Sequence, residues 1–255
     1  MPELATKATQ ILAELDVLRS KLEIDAVTLK RLERDAKSVL KVDAFRGYQL
    51  LGALFGFSGK VSEMRENYDR ALKLALTPAE KSMALHNYSV SLDNAGYFTE
   101  SVELAFQVLN LGAEDLQKLA FAWSCYRAGS FHRATQYIEN IALLDQKLSQ
   151  QIIAVVKFMD EHGVRDEELQ KMIEIAVSVL HARNFFNFRN MRTAFVSDED
   201  STWFCYVIKV DRSVEEVVDM RYELAGQLAE VDLPMNLLSN FLVTYECAEE
   251  EYGSD

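Results

Sequence analysis

The sequence predicts a mainly helical fold, a series of antiparallel helix hairpins followed by a small α+β domain. Three observations predict it. A glycine with a recurring set of neighbours returns at intervals of 37 and 33 residues, at Gly59, Gly96 and Gly129. Breakers are scarce, with 3 prolines and 10 glycines in 255 residues, which favours helices joined by short connections. After residue 190 the apolar period changes from helical to strand-like, and the charge balance changes with it.

Residues 3–22 carry Ile11, Leu12, Leu15, Leu18 and Leu22 on one helical face. Asp25 can cap a second helix with Val27, Leu29, Leu32, Ala36, Val39 and Leu40, so residues 1–44 read as a helical hairpin. Asp43 precedes the next helix. From residue 45 the three glycines align their surroundings. Gly52, Ser89 and Ala122 stand seven residues before, and Phe55, Leu92 and Cys125 four before. Val61, Phe98 and Phe131 stand two after, and Met64, Ser101 and Ala134 five after. Glycine suits a helix end because the left-handed conformation costs it little. The small residue lets two helices approach, and the larger residue after the glycine covers the junction. Thr77-Pro78-Ala79-Glu80 is a capping box with proline in the first turn, placed where the second hairpin should begin. Gln150–Met159 and Glu167–Leu180, with Asp166 as a cap, read as a further, atypical pair that extends the array to residue 185.

A period near 34 residues marks a repeated helix–turn–helix unit, one of which cannot bury its own apolar face. Segment 45–145 resembles the tetratricopeptide repeat, through Leu51-Gly52 and Phe55 with Tyr68 and Ala71, Ala95-Gly96-Tyr97-Phe98, and Ala128-Gly129-Ser130-Phe131 with Ala134. The early tryptophan typical of that family is replaced by Tyr48, Leu85 and Lys118. The resemblance implies an α-solenoid whose first helices line a concave groove for a peptide or partner helix. Carried over by position, the groove holds Arg46, Gln49 and Ala53, then Met83, His86, Asn87, Val90 and Asn94, then Leu119, Trp123, Tyr126 and Arg127. Trp, Tyr and Arg often dominate binding energy, although Trp123 and Tyr126 could equally be packed core. The Lys/Asn clamp by which some members hold a C-terminal carboxylate is matched only at Asn87, since Gln49, Ala53 and Leu116 fill its other places. An apolar or amphipathic segment is therefore the expected ligand.

Residues 190–247 read as a β-β-α-β domain. Thr202–Val210 is rich in β-branched and aromatic residues, Met191–Val196 is a candidate partner strand, and Asn240–Tyr245 a last strand. Ser213-Val214-Glu215-Glu216 is a second capping box that opens the intervening helix. Residues 248–255 form an acidic tail. The net charge of −13 is uneven: residues 190–255 hold 15 Asp+Glu against 4 Lys+Arg. An acidic surface repels phosphates, so direct nucleic-acid binding is not expected.

Hydrophobic residues make up 49% and charged residues 26%, with mean hydropathy near zero, values of a globular chain. No apolar run approaches the ~20 residues of a membrane span. No secretory signal is read at Met1–Lys7. Cys125, Cys205 and Cys247 are few and distant, which points to a reducing cytoplasm. The acidic surface formed by Asp198, Glu199, Asp200 and Asp211 reads as a solvated turn rather than a cation site, because it lacks the glycine-containing loop of a calcium hand. His86, His132, His162 and His181 form no zinc pattern. With no nucleophile motif, phosphate-cradling loop or dinucleotide fingerprint, no catalytic residue, metal or cofactor is expected. The expected role is a non-enzymatic adaptor or scaffold, possible partners being an apolar helix in the groove and a basic protein at the acidic domain. Two alternatives stand beside it: an acidic inhibitor or antitoxin-like protein masking a basic partner surface, and an enzyme with an unrecognised site in the C-terminal domain.

Overall fold

In the computed structural model the chain is mainly helical, with a three-stranded sheet in its last quarter. The structure describes residues 2–19, 26–112, 114–186, 188, 191–198 and 201–248, apart from the side chains of residues 2–6, 16 and 19. The expected cap Asp25, the helix end at Leu22, the turn residues Glu199 and Asp200 and the tail beyond Ala248 lie outside the described residues. The chain divides into two compact units, Met1–Glu114 and Asp115–Asp255.

The first unit contains α1 (Pro2–Arg19), α2 (Ala26–Leu40), α3 (Ala44–Phe57), α4 (Val61–Leu74), α5 (Pro78–Asn94) and α6 (Phe98–Leu109). One core joins Ile11, Leu15 and Leu18 of α1 to Leu32, Ala36 and Val39 of α2 and Leu50, Leu51 and Leu54 of α3. Leu15 and Leu32 are fully buried, each worth about 2 kcal/mol of transfer free energy. A second core gathers Met64, Tyr68, Tyr88 and Leu92, with Phe55 against it. Helix α3 packs on α4, α5 on α6, and α3 on α5.

The helix junctions share one geometry. Gly59, Gly96 and Gly129 have φ of 70°, 86° and 74°, the left-handed conformation expected of them. At each, the N–H after the glycine donates to the carbonyl four residues before it: Lys60 to Phe55 at 2.9 Å, Tyr97 to Leu92 at 2.9 Å and Ser130 to Cys125 at 2.8 Å. This is the six-to-one closure that satisfies carbonyls left open at a helix end. A fourth example closes at Gly163, φ 62°, with Val164 donating to Met159 at 2.9 Å. A fifth uses Asn184, φ 56°, with Phe185 donating to Leu180 at 3.0 Å. The small residues before the glycines sit at close approaches. A Cβ at Gly52 would lie 2.7 Å from the Tyr68 ring, and the Ser89 hydroxyl lies 3.1 Å from that of Ser101.

The second unit begins with α7 (Asp115–Ala128). The next helix is broken into α8 (Phe131–Ala134), a 3₁₀ turn at Thr135–Tyr137, and α9 (Ile138–Leu144). Thr135 turns its hydroxyl back onto the His132 carbonyl at 2.7 Å, a bond that favours a helix bend. Helices α10 (Gln146–His162) and α11 (Asp166–Ala182) follow. The sheet is built from β1 (Met191–Ser197), β2 (Thr202–Val210) and β3 (Phe241–Cys247). Strand β1 pairs antiparallel with β2, from Met191 opposite Ile208 to Ser197 opposite Thr202, and β2 pairs parallel with β3. The parallel pairing needs a crossover, which α12 (Val214–Glu230) and the short α13 (Met235–Asn240) supply. The predicted strand–strand–helix–strand order is present, with α13 an addition that the sequence reading did not contain.

One face of the sheet meets the helices. Phe204 packs edge-on against Phe131 and Phe195 edge-on against Phe158, while Phe241 meets Phe158 at a tilt. The Tyr206 hydroxyl donates to the Arg127 carbonyl, and that of Tyr245 to the Ala176 carbonyl at 2.7 Å. Strand β2 is buried along most of its length, which explains its near-continuous run of apolar residues.

Candidate functional site

In the first unit, two local signals set the faces of α3 and α5. Asp43 caps α3 by accepting from the Arg46 N–H at 3.0 Å. Thr77 and Glu80 form the predicted capping box of α5, with Pro78 in its first turn. The phases so fixed place Arg46, Gln49, Leu50 and Ala53 of α3 opposite Met83, His86, Asn87, Val90 and Ser91 of α5, around a cavity of about 470 Å³. Helix α1 closes one side with Ala8, Thr9 and Leu12, and α4 contributes Tyr68.

The cavity is mixed in character. Asn87 Nδ2 donates to Gln49 Oε1 at 2.8 Å, joining α5 to α3. Gln49 is only 6% exposed and Asn87 half-buried, so this amide pair is a part-buried polar feature of the lining. The Tyr68 and Ser91 hydroxyls share a hydrogen bond of 2.8 Å. Tyr68 reaches it because Gly52 lets the ring lie against α3, and it stacks on Tyr88 with centroids 4.7 Å apart. Burial pushes the His86 imidazole below its ordinary pKa, so the ring is neutral at neutral pH. Arg46 stands at the rim, 3.6 Å from Asp43. Such a lining can take apolar atoms and fix their orientation with a few hydrogen bonds.

Arg46, Gln49, Ala53, Met83, His86, Asn87 and Val90 thus line one cavity, while Asn94 is half-buried outside it. Ala8, Thr9 and Leu12 were missed, because nothing in their spacing says which helix α1 will lean on. In the second unit, Leu119 and Arg127 are half-buried and Trp123 is 37% exposed. Tyr126 is only 4% exposed, and its hydroxyl shares a 2.5 Å hydrogen bond with Thr193 of β1. Trp123 packs edge-on against it. Tyr126 therefore carries sheet-to-helix packing, and burial pushes its phenol up.

The acidic positions separate as well. The Asp198 carboxylate accepts from the Ser201 N–H at 2.9 Å and closes the β1–β2 turn. Asp211 is exposed after β2. Several acids of this region are paired within the unit: Glu216 with Arg212, Glu223 with Arg183, and Glu246 with Arg192. Among the described residues, no group of three His, Cys, Asp or Glu side chains is placed to hold a metal ion. No described helix is long and apolar enough to cross a membrane. No family model, curated protein or solved structure matches the chain.

A second polar cluster, not singled out in the sequence, surrounds His132. Its Nδ1 lies 2.8 Å from Asp166 and its Nε2 3.1 Å from Asp160. Burial alone would lower the histidine pKa, but the hydrogen bonds to Asp166 and Asp160 outweigh it and hold the value above the ordinary one. Asp166 was expected to cap α11. It is instead the first helical residue there, and its carboxylate accepts the His132 and Arg133 N–H groups at 3.1 Å each. It caps α8 from more than 30 residues away.

Proposed function

We propose that the chain is a non-enzymatic binding module, a tetratricopeptide-like series of helix hairpins that takes an amphipathic segment of a partner protein into the cavity between α1, α3 and α5. One observation carries the reading. Seven side chains assigned to a groove by repeat position alone line a single cavity on α3 and α5. The shared closure at Gly59, Gly96, Gly129 and Gly163 also supports a repeated unit.

The chemistry of the lining suits such a guest. Leu12, Leu50, Ala53, Met83 and Val90 offer aliphatic surface, and Met adapts to irregular shapes. Gln49 and Asn87 use one donor and one acceptor on each other, and each amide has further capacity to bond a guest. The test is affinity purification from source cells with mass spectrometry, comparing the wild-type chain with the Met83→Arg/Val90→Arg variant, whose folding is checked by circular dichroism. Proteins recovered by the wild type and lost by a folded variant would support the reading. Identical recovery by both would remove it.

A further inference from the structure

We propose that β1, the end strand of the sheet, pairs along its outer edge with β1 of a second copy of this chain, making one continuous six-stranded sheet across a two-fold axis. The inference rests on the second unit alone and is independent of the cavity in the first.

The two edges of the sheet are finished differently. On β3, Arg221 donates to the Tyr245 carbonyl at 2.9 and 2.6 Å, occupying main-chain bonding capacity beside the strand. Of the common devices that blunt an edge, the described residues of β1 carry one charge, Arg192, and neither a proline nor a bulge. The register of β1 with β2 runs unbroken from Met191 to Ser197. Phe195 and Val196 are 44% and 48% exposed there.

The geometry fixes which groups face outward. Asp198 N–H donates to Ser201 O at 3.0 Å, immediately beyond the pair Ser197–Thr202. Antiparallel pairs alternate between bonded and non-bonded positions, so residues 192, 194 and 196 bond to β2. The main-chain groups of residues 191, 193, 195 and 197 therefore point away from it.

An antiparallel pair of β1 strands centred on Phe195 uses those outward groups, and the side chains of residues 192–198 then meet suitable neighbours. Phe195 faces its own copy. Thr193 faces Ser197, Ala194 faces Val196, and Arg192 faces Asp198, each twice by symmetry. Aromatic, hydroxyl and opposite-charge cross-strand pairs are the favourable kinds, and a two-fold interface needs such self-complementarity. Shifting the centre by one residue loses the match. A centre at Ala194 sets Arg192 against Val196 and Thr193 against Phe195, and a centre at Val196 sets Ala194 against Asp198. Arg192 bonds Glu246 of β3 at 2.7 Å across β2 on its own chain, so it exchanges this partner for Asp198 of the second copy when the edges pair.

Sedimentation of the full chain in about 0.15 M salt, where repulsion between two acidic copies is screened beyond about 8 Å, tests the proposal. From about 1 to 300 µM, the range suited to a small contact, the mass should rise from 29.0 kDa toward twice that value. Ser197→Pro removes an outward N–H without touching the ladder to β2, and should weaken association roughly tenfold or more. Asp198→Arg alone should weaken it similarly, and adding Arg192→Asp should restore it. Thermal unfolding of each variant establishes that it is folded, and either the proline or the charge exchange suffices if the other fails to fold. A chain that stays monomeric throughout leaves the edge to an extended segment of another protein and overturns the proposal. So does a dimer indifferent to all these changes.

Discussion

The Tyr245 hydroxyl donates to the Ala176 carbonyl at 2.7 Å, inside the second unit, where the ring is fully buried. This bond joins β3 to the middle of α11, so the sheet is fastened to helices and does not stand apart from them. Burial of the phenol pushes its pKa far upward, which keeps the hydroxyl a donor at any ordinary pH.

Tyr245→Phe keeps the ring and removes the donor. The expected loss is about 1 kcal/mol, typical of one internal hydrogen bond. Tyr245→Ala also opens a cavity and should cost about 3–5 kcal/mol by analogy with other buried aromatics. Urea unfolding monitored by circular dichroism measures both. Equal losses for the two variants would show that the ring contributes nothing beyond the bond.

Two glycines should respond in opposite directions to alanine. At Gly52 the new methyl would meet the Tyr68 ring at 2.7 Å, and overpacking of this kind costs about 1–3 kcal/mol. At Gly226, within α12, a Cβ meets nothing within 4 Å, so alanine should stabilise by about 0.5–1 kcal/mol through helix propensity and unfolded-state entropy. A stabilising Gly52→Ala would contradict the close helix approach described above.

His132 makes stability depend on pH. Its pKa is raised in the folded chain, so the folded state holds the proton more tightly than the unfolded one. The contribution is full below the unfolded value of about 6.5 and is lost as pH rises through the higher folded value. Urea unfolding between pH 5.5 and pH 8.5 should show this decline, and His132→Gln should remove it. In an NMR titration Asp160→Asn should lower the histidine pKa, because it takes away the carboxylate on Nε2. A wild-type midpoint below 6.5 would refute the assignment.

Asp166→Ala should cost about 2 kcal/mol, since it strips a charged acceptor from two backbone N–H groups. The loss should appear first as exchange of the amides at the start of α8, measured by hydrogen exchange. Protection unchanged at His132 and Arg133 would argue against capping from α11.

Features with a local cause were legible in the sequence. Gly59, Gly96 and Gly129 announced helix ends because few other residues accept a left-handed backbone. Thr77, Ser213 and Asp43 announced helix starts through their own side chains. The run from Thr202 to Val210 announced a buried strand. Half of the candidate site was readable for the same reason: Gln49 and Ala53, or Met83, Asn87 and Val90, share a helix face by spacing alone. What the sequence did not disclose is tertiary. Asp166 looks like any helix-opening acid until α11 lies beside α8. Tyr126 has the spacing of a groove residue, yet in the fold it is buried, packed on Phe131 and bonded to Thr193 of β1. The lean of α1 on the cavity belongs to the same class.

The parallel pairing of β2 with β3 has a consequence for synthesis. The partner of Phe204 is Phe241, and that of Val210 is Cys247, so the sheet cannot be completed until Cys247 has been made. Helices α3 to α6 can settle while translation continues, because their partners lie close by in the chain. The aromatic strand must wait, half-covered, and local stabilisation cannot shorten the delay because the loop between the strands has to close first. A chain truncated before residue 241 would leave β2 paired with β1 on one edge and without β3 on the other.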